Sequence, residues 1–200
     1  MIDEFYKDLF VKNKGWNTFK PNTDEMHRWL VIKSFVEQIS KPDIKILDVG
    51  CGRGWTSNLL SKYGNVLGID PVASVIEYGR ELYPNIGLMA LGLEDYCSLY
   101  PEEKYDLIVC TEVLEHIVDK PQFLKKIKNL LSDNGYVILS TPRKEIQEEW
   151  IERFGDPKQP IEEWISSDDL RGLFDECGFK QISYKSASQL GIYQIYLLSV

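Results

Sequence analysis

The chain carries little positive charge. Its 31 acidic and 23 basic residues give a formal net charge of −8 at pH 7. Because proteins hold nucleic acids by neutralising phosphates with Lys and Arg, this balance disfavours a nucleic-acid partner. The richest basic run, residues 120–128, is interpreted as the solvated face of a helix.

Closely spaced cysteines and long apolar runs are also missing. The four cysteines are at positions 51, 97, 110 and 177, so the sequence has no CxxC pair for a metal, and a reduced, cytoplasmic location is favoured. The opening stretch "MIDEFYKDLF" lacks the basic flank and apolar core of a signal peptide. No apolar run approaches the roughly 20 residues that span a bilayer. The 200 residues, 44% of them hydrophobic, therefore predict one globular domain of unknown oligomeric state.

Apolar strands and amphipathic helices alternate along most of the chain. The predicted strands are "IKILDVG", "NVLGID", "IGLMA", "YDLIVCTEV" and "NGYVILSTP". Such alternation predicts a parallel sheet with helices on both faces. The last segments, "FKQISYKSAS" and "YQIYLLSV", are strands joined by a short link, so they must pair antiparallel.

Helix starts are predicted from capping residues. Asn22 or Thr23 caps the first long helix, with Glu25 reaching back. Asp70 is expected to cap the helix after the second strand, with Pro71 as its first residue. Two further caps are predicted in the second half of the chain, namely Asp119 and either Ser166 or Ser167.

The stretch "ILDVGCGRGW" places Gly50, Gly52 and Gly54 directly behind Asp48 and an apolar strand. A turn of this kind lies at the carboxyl edge of the sheet, where open α/β folds bind ligands. No Gly-Lys-Ser/Thr follows, so a P-loop is excluded. Asp70, at the end of the second strand, suits the ribose of any adenosine ligand, so a dinucleotide stays open. Asp48 favours a ligand with an ammonium or sulfonium group over a pyrophosphate.

Five segments resemble the class I S-adenosylmethionine-dependent methyltransferases. They are "ILDVGCGRGWTSNLL", "VLGIDPVASVIEYGRELYP", "YDLIVCTEVLEHI", "LLSDNGYVILSTP" and "EEWISSDDLRGLFDECGF". The resemblance covers residues 24–200. It implies a Rossmann-like, doubly wound α/β fold of seven strands in the order 3-2-1-4-5-7-6, with strand 7 antiparallel. It also implies S-adenosyl-L-methionine as the cofactor and a small-molecule methyl acceptor.

The resemblance also implies which residues bind the cofactor. Asp48 and the backbone from Gly50 to Gly52 are expected at its methionine part, and Asp70 at the ribose. Leu93 and Glu94 are expected beside the adenine. Family members often carry an aspartate where this chain has Gly92. The full predicted set is Asp48, Gly50, Cys51, Gly52, Asp70, Pro71, Leu93, Glu94, Cys110, Thr111 and Glu112.

The chain has only two histidines, and both are candidate catalytic bases. His116 lies in "EVLEHI", a pattern that resembles the active-site border of the ubiquinone-type O-methyltransferases. The other interpretation of His116 is a loop anchor beside the cleft. His27 lies on the first long helix, where a surface histidine is the competing interpretation. The small-RNA methyltransferases use a similar Glu-x-x-Glu-His pattern for a metal, but Pro160 stands where their further histidine would be, so no metal is predicted.

Large aromatic residues cluster outside the predicted sheet, at Trp16, Phe19, Trp29, Trp150, Phe154 and Trp164. They either form an apolar substrate pocket or pack a lid onto the sheet. The predicted organisation is an N-terminal helical cap at residues 1–40 and a methyltransferase domain at 41–200, with a lid-like insertion at 143–165. The predicted activity is methylation of a small molecule, with oxygen as the favoured acceptor atom. A non-catalytic cofactor-binding module and an NAD-dependent oxidoreductase are the alternatives.

Overall fold

A computed structural model describes residues 2–13, 19, 21–39, 41–156, 159–188 and 190–200. Trp16, predicted as one of the pocket or lid aromatics, lies outside these residues. Within the described part of the chain, no helix is long and apolar enough to cross a membrane.

Seven strands form one sheet in the order β3-β2-β1-β4-β5-β7-β6. Neighbouring strands among β1 to β5 pair parallel, whereas β7 runs antiparallel to both β5 and β6. The predicted strand order and the antiparallel seventh strand are therefore confirmed. The strands are β1 (Ile44–Val49), β2 (Gly64–Asp70), β3 (Gly87–Ala90), β4 (Tyr105–Thr111), β5 (Leu131–Pro142), β6 (Lys180–Ala187) and β7 (Tyr193–Ser199).

Helices cover both faces of the sheet. An N-terminal helix, α1 (Ile2–Lys7), continues into a π-helical turn at Asp8–Lys12, and short 3₁₀ turns lie at Leu114–His116 and Lys144–Ile146. The remaining helices are α2 (Thr23–Ile39), α3 (Trp55–Leu60), α4 (Ala73–Leu82), α5 (Leu93–Leu99), α6 (Lys120–Asn129), α7 (Gln147–Phe154) and α8 (Ser167–Glu176).

Two apolar clusters, one for each face of the sheet, form most of the core. Val49, Cys110 and Leu124 belong to one cluster, which also receives Phe174 of α8. The other cluster contains the apolar stripe of α2, together with alternating residues of the central strands. The central strands are buried on both faces, which explains their nearly continuous apolar sequences.

Most of the predicted helix starts are confirmed. The amide of Glu25 donates to Asn22 Oδ1 at 2.9 Å and the amide of Asn22 donates to Glu25 Oε2 at 2.8 Å, which is a reciprocal capping box. Asp119 accepts from the amide of Gln122 at 3.0 Å. Ser166, rather than Ser167, accepts from the amide of Asp169 at 3.1 Å.

The predicted cap at Asp70 is wrong. The helix after β2 begins at Ala73, its N-cap is Val72 without a side-chain hydrogen bond, and Pro71 precedes it. Asp70 lies too early in the chain to reach the first helical amides. Its carboxylate instead accepts hydrogen bonds from two loop amides, so it does not cap the helix.

The N-terminal elements have different surroundings. Helix α2 packs against β6 and β7 and buries Trp29 and Phe35, whereas α1 contacts α4 at the carboxyl edge of the sheet. The domain boundary at residue 40 and the lid-like character of 143–165 stay predictions.

A buried ion pair joins α2 to the turn after β1. Arg53 Nη2 lies 2.9 Å from Glu25 Oε2, and the two side chains are only 1% and 3% exposed. Because the same Glu25 oxygen caps α2, the pair fixes the start of that helix against the glycine turn.

Replacing Arg53 with Met should destabilise the protein by about 3–5 kcal/mol, because it leaves the Glu25 carboxylate buried without its charge partner. Urea unfolding at neutral pH measures the effect. Arg153→Met, which breaks an exposed pair with Glu149 on α7, is the matched control and should cost less than about 1 kcal/mol. Equal losses for the two variants would contradict the role of the buried pair.

Candidate functional site

A cavity of about 510 Å³ lies at the carboxyl edge of the sheet. Its floor is the turn after β1 and the loop after β4, and its walls come from α1, α2, Trp150 and residues 159–164. A second cavity of about 320 Å³ adjoins it and shares Gly50, Pro71 and Val113 with it. Open α/β sheets bind ligands at this edge, so the two cavities are the candidate site.

The glycine turn needs its first glycine on steric grounds. Gly50 has a φ of +70°, and a Cβ added there would lie 2.2 Å from Val113 Cγ2. Gly52 also has a positive φ, and its amide donates to Asp70 Oδ2 at 3.0 Å. The turn therefore places backbone without side chains, at Gly50 and Gly52, next to Asp70 at the end of β2.

Asp48 is a buried carboxyl group at the start of this turn. It is 1% exposed, lines the larger cavity, and accepts a hydrogen bond from Ser57 Oγ at 2.6 Å. Burial raises its pKa to about 7, against the opposing effect of Ser57 and with a contribution from Asp70. Ionised Asp48 has no cation within 4 Å among the described residues, so a cationic ligand group is its natural partner.

Asp70 bridges the two loops that follow β1 and β2. Its Oδ1 accepts from the amide of Val72 at 2.9 Å, and its Oδ2 accepts from the amide of Gly52. Burial raises its pKa, although both amides act in the opposite direction. Each carboxylate oxygen keeps one acceptor position, so the group can still receive hydroxyl donors from the cavity.

The other residues of the predicted cofactor set are divided between the cavities and the core. The smaller cavity is lined by Leu93 and Glu94, and the Glu94 carboxylate pairs with Lys126. The Cys110 side chain is fully buried in the core and does not reach the larger cavity. The larger cavity brings together Asp48, Gly50, Cys51, Gly52, Asp70, Pro71, Thr111 and Glu112.

Glu112 adopts a backbone conformation that is unusual for its residue type. Its φ is +57°, and Ser140 Oγ donates to its Oε1 at 2.6 Å. Burial raises its pKa, which the charge of Arg28 partly offsets. Strained backbone of this kind recurs where a side chain must face a ligand.

Arg28 is a cavity residue that sequence reasoning missed. It is 8% exposed, its guanidinium lies 4.4 Å from the Tyr193 ring centre, and both residues line the larger cavity. No carboxylate oxygen lies within 4 Å of it among the described residues. Burial is the largest effect and lowers its pKa, but the charges of Glu112, Tyr193, Glu25 and Asp24 together outweigh it, so the pKa is raised. The one available signal was its spacing of three residues from Glu25 on the same helix face.

The two histidines have different surroundings. His116 lines the cavity, and its Nδ1 lies 2.6 Å from the carbonyl oxygen of Ile161. A carbonyl only accepts, so Nδ1 carries the proton and Nε2 of the neutral ring has a free lone pair. His27 does not line the cavity, and its Nδ1 is buried without a partner among the described residues. A catalytic role for either histidine stays a prediction.

The cavity end next to His116 is acidic. Glu115 is 2% exposed and accepts from Thr141 Oγ1 at 3.0 Å, and burial raises its pKa, with a further contribution from Glu112. Glu162 accepts from Trp164 Nε1 at 2.6 Å. Within the described ranges, no group of three or more His, Cys, Asp and Glu side chains is arranged to hold a metal ion.

The aromatic residues outside the sheet serve different purposes. Trp150 and Trp164 line the cavity, with ring centres 5.7 Å apart. Trp29 belongs to the core, while Phe19 and Phe154 are 59% and 65% exposed. The pocket interpretation therefore fits Trp150 and Trp164 and the packing interpretation fits Trp29, whereas Phe19 and Phe154 fit neither.

Comparison with known proteins identifies the family. The sequence pattern of a family described as "Methyltransferase domain" matches residues 24–184. The chain therefore belongs to this family, which confirms the resemblance noted in its motifs.

The individual relatives match only part of this chain. A ubiquinone biosynthesis O-methyltransferase of Bradyrhizobium diazoefficiens is 36% identical over 104 residues, which are 49% of this chain and 40% of that protein. A putative methyltransferase 235L of invertebrate iridescent virus 6 is 31% identical over 60% of this chain and 46% of its own length. The chain thus spans less than half the length of these curated relatives.

Solved structures share the fold at low sequence identity. The N-methyltransferase NodS of Bradyrhizobium japonicum, solved with S-adenosyl-L-homocysteine, superposes with a TM-score of 0.76 at 16% identity, over 100% of this chain and 98% of that one. A magnesium protoporphyrin IX methyltransferase of Synechocystis superposes with a TM-score of 0.71 at 18% identity, over 98% and 94% of the two chains. At these identities the likeness establishes the fold alone.

Replacing Asp48 with Asn should change how stability depends on pH. A carboxyl group whose pKa is raised on folding stabilises the native state fully at low pH, and this contribution is lost as pH rises through 7. From pH 4 to pH 8 the native chain should therefore lose roughly 3–4 kcal/mol relative to Asp48→Asn. Urea unfolding of the two proteins across this range measures the difference. The exposed Asp95→Asn variant should follow the native chain, and parallel curves for all three would contradict the assignment.

Proposed function

We propose that the chain is an S-adenosyl-L-methionine-dependent methyltransferase that acts on a small molecule. The observation that carries this proposal is the buried carboxyl group of Asp48, which lines a cavity beside a glycine turn and has no cationic partner among the described residues. A sulfonium or ammonium group supplies the missing charge, whereas a pyrophosphate would be repelled. Membership of the methyltransferase family supports the same cofactor.

The two cavities suit the two halves of this cofactor. We assign the adenine to the smaller cavity beside Leu93, which offers apolar surface, and the ribose hydroxyls to the free acceptor positions of Asp70. The methionine part and the methyl acceptor then share the larger cavity. Gly50 and Pro71 lie at the junction, where the nucleoside would pass from one cavity to the other.

Arg28 is the group that we assign to the cofactor's carboxylate. The other arginine in the cavity lining, Arg53, already pairs with Glu25. Arg28 is buried, and within the part of the chain that the structure describes no carboxylate contacts it. An arginine offers paired donors that match a carboxylate. The Tyr193 ring, whose centre lies 4.4 Å from the guanidinium carbon, packs against Arg28 in the cavity.

When bound, the cofactor would supply a methyl group on a sulfonium for one in-line displacement, in which the acceptor's lone pair forms the new bond to carbon as the carbon–sulfur bond breaks and its electron pair stays on sulfur. The protein mainly aligns the reactants. If the nucleophile is a hydroxyl, its proton must leave, and Nε2 of His116 is the base that the tautomer provides.

Small-molecule acceptors fit the cavity better than macromolecular ones. The acidic balance disfavours RNA, and the acceptor space is lined by the aromatic side chains of Phe5, Tyr6, Trp150 and Trp164. The ubiquinone-type relatives support methylation at oxygen. The four free cysteines support a cytoplasmic location.

Calorimetry with S-adenosyl-L-homocysteine and NADH tests the cofactor assignment. We expect S-adenosyl-L-homocysteine to bind with a dissociation constant between about 1 µM and 1 mM, the usual range for enzyme ligands, and NADH to give no signal. Binding of NADH alone would favour the oxidoreductase alternative. Cofactor binding without turnover of a broad acceptor panel would favour a non-catalytic module.

Replacing Arg28 with Met should weaken S-adenosyl-L-homocysteine binding by about 10- to 100-fold, the loss expected for a charged hydrogen bond. The affinity for 5′-methylthioadenosine, which lacks the amino-acid part, should not change. Lys33→Met, an exposed substitution on the same helix, is the control and should leave both affinities as they are. A loss of both affinities in Arg28→Met would mean that the arginine supports the fold rather than the carboxylate.

A further inference from the structure

The acceptor end of the larger cavity contains two glutamates from different segments. Glu115 follows β4, and Glu162 comes from the insertion between β5 and α8. Tyr6, from α1, lines the same space, and its hydroxyl donates to Gln159 Oε1 at 3.4 Å; burial raises its pKa to about 12, with smaller contributions from Glu115 and Glu162. Three parts of the chain therefore converge on one acidic space.

Neither glutamate has a lysine or arginine within 4 Å in the described part of the chain. Glu115 lies 3.9 Å from His116 Nε2 and accepts one hydroxyl, from Thr141. Glu162 uses Oε1 for the indole of Trp164, while its Oε2 is buried and has no hydrogen-bond donor among the described residues. A buried carboxylate oxygen without a donor is costly, so this atom points to a ligand donor.

The cations elsewhere in the cavity do not balance these charges. Arg53 is paired with Glu25, and on the proposed function Arg28 faces the cofactor's carboxylate. The cofactor's sulfonium and ammonium lie towards Asp48 and the glycine turn. Once the cofactor is bound, Glu115 and Glu162 remain without a cation.

The walls of this space suit an organic cation. Trp150 and Trp164 face the cavity as a tilted pair, and Tyr6 packs edge-on to His116 with ring centres 6.2 Å apart. Aromatic faces attract cations as well as apolar groups. The acidic side chains and the aromatic walls together favour a ligand in which a protonated amine is attached to an apolar group. They disfavour an anion or a neutral phenol.

We propose that the methyl acceptor carries a protonated amine, or a similar organic cation, that donates hydrogen bonds to Glu162 and Glu115 while its apolar body contacts Trp150 and Trp164. This inference rests on the proposed function. It concerns how the acceptor is held and does not depend on which of its atoms receives the methyl group.

Three probes that share one phenethyl body test the charge preference: 2-phenylethylamine, 2-phenylethanol and 3-phenylpropionate. Each is titrated by calorimetry into the protein saturated with S-adenosyl-L-homocysteine. We expect the amine to bind at least tenfold more tightly than the alcohol, and the carboxylate to bind most weakly. The Glu162→Gln variant should reduce the preference for the amine to less than threefold.

Glu163 provides the matched control, because it is the next residue and its carboxylate is exposed and paired with Lys120. Glu163→Gln should keep the tenfold preference. Melting curves and S-adenosyl-L-homocysteine affinities, measured for both variants, verify that each is folded.

Four results would overturn the inference. They are equal binding of amine and alcohol, no binding of the amine at millimolar concentration, an unchanged preference in Glu162→Gln, and amine binding that requires Mn²⁺ and disappears with a chelator. Absence of S-adenosyl-L-homocysteine binding, measured first and without probes, would instead reject the proposed function. The two failures are therefore distinguishable.

Discussion

Carboxyl groups buried at the carboxyl edge of a parallel sheet are the constraint on which this site depends. Asp48 and Asp70 end or follow adjacent strands, and Glu112 and Glu115 follow the next one. Burying ionised carboxyl groups is unfavourable unless donors or cations compensate. Among the described residues, hydrogen-bond donors come from Ser57, Ser140, Thr141 and loop amides, and the charge of Arg28 offsets only part of the effect of burial on Glu112. The edge is therefore electrostatically incomplete without a positively charged ligand.

The surrounding architecture holds this unfavourable arrangement in place. Glu25 caps α2 and pairs with Arg53, so one carboxylate fixes both the helix start and the turn after β1. Arg28 lies three residues further along α2, on the same face, and therefore projects into the cavity from a fixed position. Because α2 packs on β6 and β7, the C-terminal hairpin indirectly supports the cofactor side of the cavity.

The fold was largely predictable because its signals are local. Apolar strands that end in glycine or aspartate, capping residues and a short final link predicted the alternating elements and the antiparallel hairpin, whereas the strand order was implied by the family resemblance. The helix cap was assigned wrongly to Asp70 because an aspartate before a proline is compatible with two roles, capping the next helix and binding loop amides. Only the residue at which that helix begins distinguishes the two roles.

The site was predictable in part. Asp48 and the glycine turn are contiguous in sequence, so their chemistry could be read directly. Arg28 and Glu162 could not be found in this way. A charged residue on an amphipathic helix, or in a polar insertion, usually faces solvent, and only the tertiary structure buries these two against the cavity. His116 was found by its motif, but its tautomer depends on the carbonyl of Ile161, which comes from a distant segment.

The placement of charge also constrains what transfer does to the cavity. On the proposed function, the cofactor would bring its sulfonium charge to the Asp48 side, and transfer would move that charge with the methyl group to the acceptor. An amine nucleophile would first have to give up its proton, and after transfer its ammonium would carry the charge beside Glu115 and Glu162. A hydroxyl nucleophile would instead pass a proton to His116, which lies 3.9 Å from the Glu115 carboxylate and gains a favourable partner when it becomes cationic. In both cases the acidic end of the cavity would stabilise the products of the reaction. This function would explain why the fold keeps the two glutamates beside the cavity although burying a carboxylate destabilises the native state.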